Sequence, residues 1–307
     1  MANLIGSAKN DSLTGTDDPD AIFGDPFTTG AAAGGFPGFP DLGVLAAGKG
    51  GNDTLRGGGG KDSLFGDAWE TTGTGRGGND TLDGGTGRTP CMATPSACLA
   101  RPLATTLYLG GTGANVFIGD ALVMSGASVG GNDTFLGGAG DSDNFELVIL
   151  GDASVMSGAA AGGNDRIEGG ADDENIFGDA SVMSDAAVGG NDMIEGGEGR
   201  NGLGGDAFEM SGTSVGGNDT LIGGDQFDVL IGDARFMSDA AVGGHDSLEG
   251  GGGDDDLYGD GIRSDSAVGG ADVFVFAPGS GLDTIFDFEQ GKDGMDVRDY
   301  APRALPI

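Results

Sequence analysis

The amino-acid sequence predicts an all-β solenoid, a stack of short parallel strands joined by tight turns. Three observations predict it. Gly supplies 68 of the 307 residues and Asp far outnumbers Glu among the 49 acids, a composition that disfavours helices. A 27-residue unit recurs: Gly-Asp-Ala begins at Gly151, Gly178, Gly205 and Gly232, and Gly-Asp-Gly follows at Gly259. Gly-Gly-Asn-Asp keeps step, ending at Asp165, Asp192 and Asp219, with Gly-Gly-His-Asp ending at Asp246. Within the units Ile176, Ile194, Leu203, Leu221, Leu230, Leu248 and Leu257 fall nine or eighteen residues apart, which would scatter them around a helix.

The smallest element is nine residues long and is clearest in Gly57-Gly58-Gly59-Gly60-Lys61-Asp62-Ser63-Leu64-Phe65. Its glycines permit a tight turn with positive φ, and the Asp-x-apolar end suffices for a very short strand with the apolar residue inward. Two elements, eighteen residues, make one coil of two strands and two turns, and coils stacked about 4.8 Å apart pair each strand with its equivalent. The general form G-G-x-G-x-D-x-U-x, with U apolar, resembles the RTX family of haemolysin-type calcium-binding repeats from about Leu4 to Tyr300, with two interruptions. The resemblance implies a right-handed parallel β-roll, here with 18 residues per coil inside the 27-residue super-repeat.

At eighteen per coil, one edge reads Glu174, Asp192, Met210, Asp228, Asp246, Ser264, and the other Asp165, Met183, Asn201, Asp219, Met237, Asp255, with Asp272 one residue short of register. The same offset pairs Asp62 with Asp80 and Asn115 with Asp133. Carboxylates about 5 Å apart repel by about 1 kcal/mol even in water. A hard divalent cation between turns reverses that sign, since calcium accepts carboxylate and carbonyl oxygens together. The resemblance implies several bound Ca2+ ions, with ligands at Asp53, Asp62, Asp80, Asp133, Asp165, Asp192, Asp219, Asp228, Asp246, Asp255 and Asp272. Glu174, Asn115 and Asn201 stand where the motif has Asp; each is either a weaker half-site or, for the amides, a relief of repulsion.

The third element of each unit departs further. In Gly178–Ala186 no large apolar residue holds the eighth place, and Met183 holds the sixth, where the carboxylate belongs; Met124, Met156, Met210 and Met237 repeat this. Every third turn is therefore expected to be a spacer closed by Met and Val packing. The Asp of Gly-Asp-Ala (Asp152, Asp179, Asp206, Asp233) either adds a ligand or hydrogen-bonds its own backbone as a turn former. One inward apolar residue in nine is a thin core against the entropy of ordering, so metal binding and folding are expected to be one process.

The expected organisation is one continuous roll over 1–270, with loops inserted near 26–49 and 89–109, and capping strands over 271–307 that end in a remnant of a type I secretion signal. Cys91 and Cys98, in the second insertion, either close a small disulfide or stay free thiols. Met1–Gly15 shows no basic segment followed by an apolar core, so no N-terminal leader is visible. The net charge of −35 excludes nucleic acid and anionic membrane surfaces as electrostatic partners, and no stretch is apolar enough to span a bilayer.

Two G-x-S-x-G stretches, Gly126–Gly130 and Gly212–Gly216, recur at equivalent places of the repeat without strand–helix context, so no hydrolase is expected. His245, the lone histidine, replaces the Asn of Gly-Gly-Asn-Asp and reads as a solvated turn residue. Phe65, Ile118, Phe177, Ile231 and Tyr258 end the second strand of several units, either as a partner-binding stripe or as packing against the spacer. The expected protein is a non-enzymatic, extracellular or cell-surface calcium-binding module, with a cell-surface polysaccharide or protein as partner. The alternative is a folding and secretion module of a larger RTX enzyme or toxin. An ice- or sugar-binding solenoid would need outward Thr rows, whereas the outward places read Arg166, Asn175, Met193, Gly202, Thr220.

Overall fold

The computed structural model describes residues 147–298 except 172, and before them 3–6, 9–16, 116–119, 121–127, 129–136 and short strand segments between 21 and 109. All regular elements among these residues are strands, and all their pairings are parallel. Two sheets of eleven strands run the length of the stack and one of six strands runs from Ala121 to Arg263, with two further strand pairs. From Leu147 onward the first sheet holds Leu147–Leu150, Glu174–Phe177, Gly202–Gly204, Val229–Ile231, Asp256–Tyr258 and Thr284–Ile285. The second holds Arg166–Glu168, Met193–Gly197, Thr220–Gly224, Ser247–Gly251, Val273–Phe276 and Gly294–Val297. The third is built from the spacer elements Ala153–Met156, Ala180–Met183, Ala207–Met210, Ala234–Met237 and Ile262–Arg263.

The β-solenoid is the expected one; its coil length is not. An eighteen-residue coil occurs at the start, where Leu4 pairs with Ile22. In the later stack the register is 27 residues: Ile149 lies opposite Ile176, Leu203 opposite Leu230, and Ile194 opposite Leu221. Earlier coils vary, and Val116 meets Val148 at an offset of 32. The physical reason is that the Met-bearing element is an extra side of every coil and not a turn in the stack. Met156, Met183, Met210 and Met237 lie over one another and form, with Ala153, Ala180, Ala207 and Ala234, an apolar core of their own. The main core, between the first two sheets, is the predicted one of Ile176, Ile194, Leu203, Leu221, Leu230, Leu248 and Leu257, closed by Phe274.

Each coil therefore has a main lobe and a side lobe joined by a neck. The chain enters the neck at Gly-Asp-Ala and leaves it at Gly-Gly-Asn-Asp. The tip of the side lobe turns through a left-handed residue, met alternately by Gly158, Asp185, Gly212 and Asp239, with Asp185 at φ 59° and Asp239 at φ 57°. Both residue types tolerate that conformation.

Candidate metal centre

The neck places two acid columns beside each other, walled by the two apolar cores. Asp152, Asp179, Asp206 and Asp233, from Gly-Asp-Ala, are fully buried. They do not cap their own turns. Each accepts from a main-chain N–H eleven residues on: Gly163 donates to Asp152 at 3.0 Å, Gly190 to Asp179 at 2.9 Å, Gly217 to Asp206 at 2.7 Å and Gly244 to Asp233 at 2.5 Å. These bonds close the neck.

The second column, Asp165, Asp192, Asp219, Asp246 and Asp272, is buried to within 3 %. Here one carboxylate oxygen ties neighbouring coils: the N–H of Asp165 donates to Asp192 Oδ1 at 2.7 Å, that of Asp192 to Asp219 at 2.7 Å and that of Asp219 to Asp246 at 2.8 Å. The adjoining Asn residues tie the coils in the opposite sense, Asn164 Oδ1 accepting from Asn191 N–H and Asn191 Oδ1 from Asn218 N–H. His245 continues this outer ladder, its Nδ1 accepting from Ala271 N–H at 2.7 Å, and it is exposed as expected of a turn residue.

A third column stands at the outer corner between the second and first sheets. It runs Glu174, Asn201, Asp228 and Asp255, and uses the same device: Glu174 N–H donates to Asn201 Oδ1, Asn201 N–H to Asp228 Oδ1 and Asp228 N–H to Asp255 Oδ1, at 2.7–3.0 Å.

Asp179 takes Gly190 N–H on both oxygens, but other carboxylates keep one oxygen unpartnered. Oδ2 of Asp192, Asp219, Asp246 and Asp272, of Asp206 and Asp233, and of Asp228 and Asp255 is buried without a hydrogen-bond donor. A buried anion in that condition is strongly unfavourable. Burial, then the neighbouring carboxylates, raise Asp192, Asp206 and Asp246 well above the usual carboxylate range. Burial likewise lifts Asp228 and Asp272 to about 7, and Asp179 and Asp255 to about 6.

The same atoms suit a hard cation. At Gly178, Gly205 and Gly232 the space a Cβ would fill lies against two oxygens: Oδ2 of Asp192, Asp219 or Asp246, and the carbonyl of Gly205, Gly232 or Gly259 in the next coil. At Gly223 that space lies against Asp228 Oδ2 and the carbonyl of Gly250. Over Gly216, Asp206 and Asp233 of successive coils converge. Only glycine leaves these cradles open. Among the described residues no three His, Cys, Asp or Glu side chains make a ready metal cluster, so main-chain carbonyls must complete any shell. All-oxygen donors of this mixed kind are what calcium takes.

The structure regroups the residues predicted from sequence. Glu174 does not stack on Asp192, nor Asp165 on Met183; the neck columns are all aspartate, the outer-corner column mixes Glu, Asn and Asp, and most steps are of 27 residues. Asp133 joins the neck column, its N–H donating to Asp165. Asp53, Asp62, Asp80 and Asn115 lie outside the described residues, as does Cys98. Four acids escaped the sequence reading. Asp260 ends the Gly-Asp-Ala column, and Asp283, Asp287 and Asp293 accept from Asp255, Gly259 and Asp272. The Gly-Asp-Gly at Gly259 was the available signal for Asp260. The other three are hidden because the coil length changes to 28 and 21 there.

The family model of the RTX calcium-binding nonapeptide repeat matches residues 3–27, 46–68, 74–88, 129–142, 159–181, 213–234 and 241–261. Comparison with curated proteins gives no significant match. The matched segments include both sides of the neck and the outer corner, and the chain is accordingly a protein of RTX calcium-binding nonapeptide repeats.

Proposed function

We propose that this protein is an exported module that calcium folds outside the cell, where it serves a structural or interaction role without catalysis. The carrying observation is the neck: stacked, buried carboxylates, of which Asp192, Asp206, Asp219, Asp233 and Asp246 each keep an oxygen without a donor. The end of the column sharpens it. Asp260 has the Arg263 guanidinium at 3.0 Å, whereas no described ion pair reaches Asp179, Asp206 or Asp233. Calcium would be held by Oδ2 of Asp192, Asp219 and Asp246, by the Gly-Asp-Ala carboxylates and by glycine carbonyls, and at the outer corner by Asp228 and Asp255. Bound there, it supplies positive charge that neutralises the columns and so permits the coils to close.

Sites of this kind in extracellular modules bind at about 10⁻⁴–10⁻³ M, far above cytosolic calcium, so the chain stays open until export. Type I secretion suits an acidic chain held unfolded until it meets calcium. The absence of catalysis is supported by Ser214 of the second G-x-S-x-G stretch, which is fully buried and closed off from any substrate. Circular dichroism during a calcium titration of the chelated chain tests the reading. The expected result is a cooperative gain of β signal, reversed by chelator; a spectrum indifferent to calcium would overturn it.

A further inference from the structure

The outer face of the first sheet carries a groove that borders the outer-corner column at Glu174 and Asn201 and lies apart from the neck. Along this face the outward places run Asn175, Gly202, Val229, Asp256 and Phe177, Gly204, Ile231, Tyr258. One coil thus has two glycines where its neighbours have side chains. A Cβ at Gly204 would strike the Phe177 ring, and one at Gly202 the Asn175 amide. The vacancy is a groove of about 330 Å³ between the main lobe and the side lobe, with Phe177, Phe208 and Phe227 on its walls and Arg200 and Arg235 at its rim.

Three features define what fits. Phe177, Phe208 and Phe236 form an edge-to-face ladder, with centroids 6.1 and 5.5 Å apart, and Phe208 and Phe236 are 38 % and 40 % exposed. Arg200 lies 5.0 Å over the Phe227 ring and Arg235 5.8 Å from Phe236. Among the described residues, Arg166, Arg263 and Arg298 hold carboxylates, but Arg200 and Arg235 hold none within ion-pair distance. In a chain of net charge −35 with 14 basic residues, two guanidiniums without an ion pair line one groove; Asp173, whose carboxylate accepts from Arg200 N–H, and the buried Glu174 line it with them, so the groove is locally balanced in charge. Stacked on rings, the guanidiniums keep their in-plane N–H groups free for bidentate capture of a carboxylate.

We infer that this groove binds a carboxylate-bearing oligosaccharide. Sugar rings present C–H faces to Phe177 and Phe208, their carboxylates pair with Arg200 and Arg235, and their hydroxyls donate to Asp173 and Asn175, which also line the groove. An acidic peptide fits less well. It would need main-chain partners from a free sheet edge, and this groove lies on a face whose strands are already paired on both sides. The site rests on the calcium reading only in needing a folded roll.

The test is calorimetric titration of the calcium-loaded full chain with tri-galacturonate, with neutral maltotriose in parallel and circular dichroism on the same samples. Tri-galacturonate is expected to bind and maltotriose not. Arg200→Ala with Arg235→Ala should weaken binding about tenfold or more with an unchanged spectrum, and Phe208→Ala should weaken it less. Uronates also chelate calcium, so full affinity in the double Arg variant would mean metal bridging and overturn the groove. So would equal binding of maltotriose, or no binding to a chain whose spectrum is β-rich. If the chain proves β-rich without calcium, the calcium reading fails but the same titration, run on that folded chain, still decides the groove.

Discussion

The neck and the outer corner solve one problem in two ways. In both, an aspartate takes the N–H of the preceding coil with Oδ1 and is left with an unpartnered Oδ2. At the outer corner there is one column, and it is mixed: Glu174 and Asn201 stand in line with Asp228 and Asp255. In the neck there are two columns, and they contain only aspartate until Arg263 meets Asp260 at the end. The corner borders solvent through its exposed loop residues, so an amide can replace an acid there. The neck has apolar cores on both sides and cannot share its charge with water. Tolerance of substitution follows from what lies behind the carboxylate, although its hydrogen bond is the same in both places.

Acidification should affect that contrast most. Asp228 and Asp272 are raised to about 7 and Asp179 and Asp255 to about 6, all chiefly by burial, against an ordinary value of about 4. A carboxyl with a raised value in the fold holds its proton more tightly folded than unfolded. The metal-free fold therefore gains stability as pH falls from above 7 towards about 4, and loses it as pH rises. The chelated chain should recover much of its β signal near pH 5. Equal disorder at pH 5 and pH 7.5 would mean that buried charge is not what opens the coils.

Substitution should separate the two regions at saturating calcium. Asp206→Ala with Asp233→Ala removes acceptors and metal oxygens from the neck and should cost about 3–5 kcal/mol, the scale of breaking buried charge pairing. Asp228→Ala with Asp255→Ala should cost about 1–3 kcal/mol, the scale of an unmet buried donor. Thermal melts and the calcium stoichiometry measure both, and equal losses would erase the distinction. The smallest effect is a gain: Asn201→Asp turns a neutral step of the corner into a charged one and should lower the half-saturating calcium by less than about tenfold. No change in the titration would show that Asn201 stands apart from any site.

Much of this was legible in the sequence: the strand class, the inward Ile and Leu residues, the acid-lined turns and the 27-residue unit. The coil length was not, because any multiple of nine keeps Ile176, Ile194 and Leu203 inside. The deciding sign was homogeneity. At eighteen-residue steps Asp165 falls on Met183 and then Asn201; at 27 it falls on Asp192 and Asp219. Acceptor stacks on acceptor because each N–H needs a side-chain oxygen one coil on. For the Gly-Asp-Ala aspartates the sequence leaves ligand and turn former both open, because their donor sits eleven residues away, across a neck that exists only once the side lobe has folded. Phe177 belonged to a suspected stripe and packs on Phe208, yet the groove beside it could not be read, since an absent side chain matters only when its neighbours are known.

The regular 27-residue register over the coils between Leu147 and Ile231 makes the length of this molecule adjustable. Gly178–Gly204 and Gly205–Ile231 fill equivalent places, so excising either whole segment would rejoin like to like, whereas a cut of eighteen residues would set Met against Asp. Gene duplication or loss in whole segments would thus extend or shorten the rod by about 4.8 Å at a time without altering its girth.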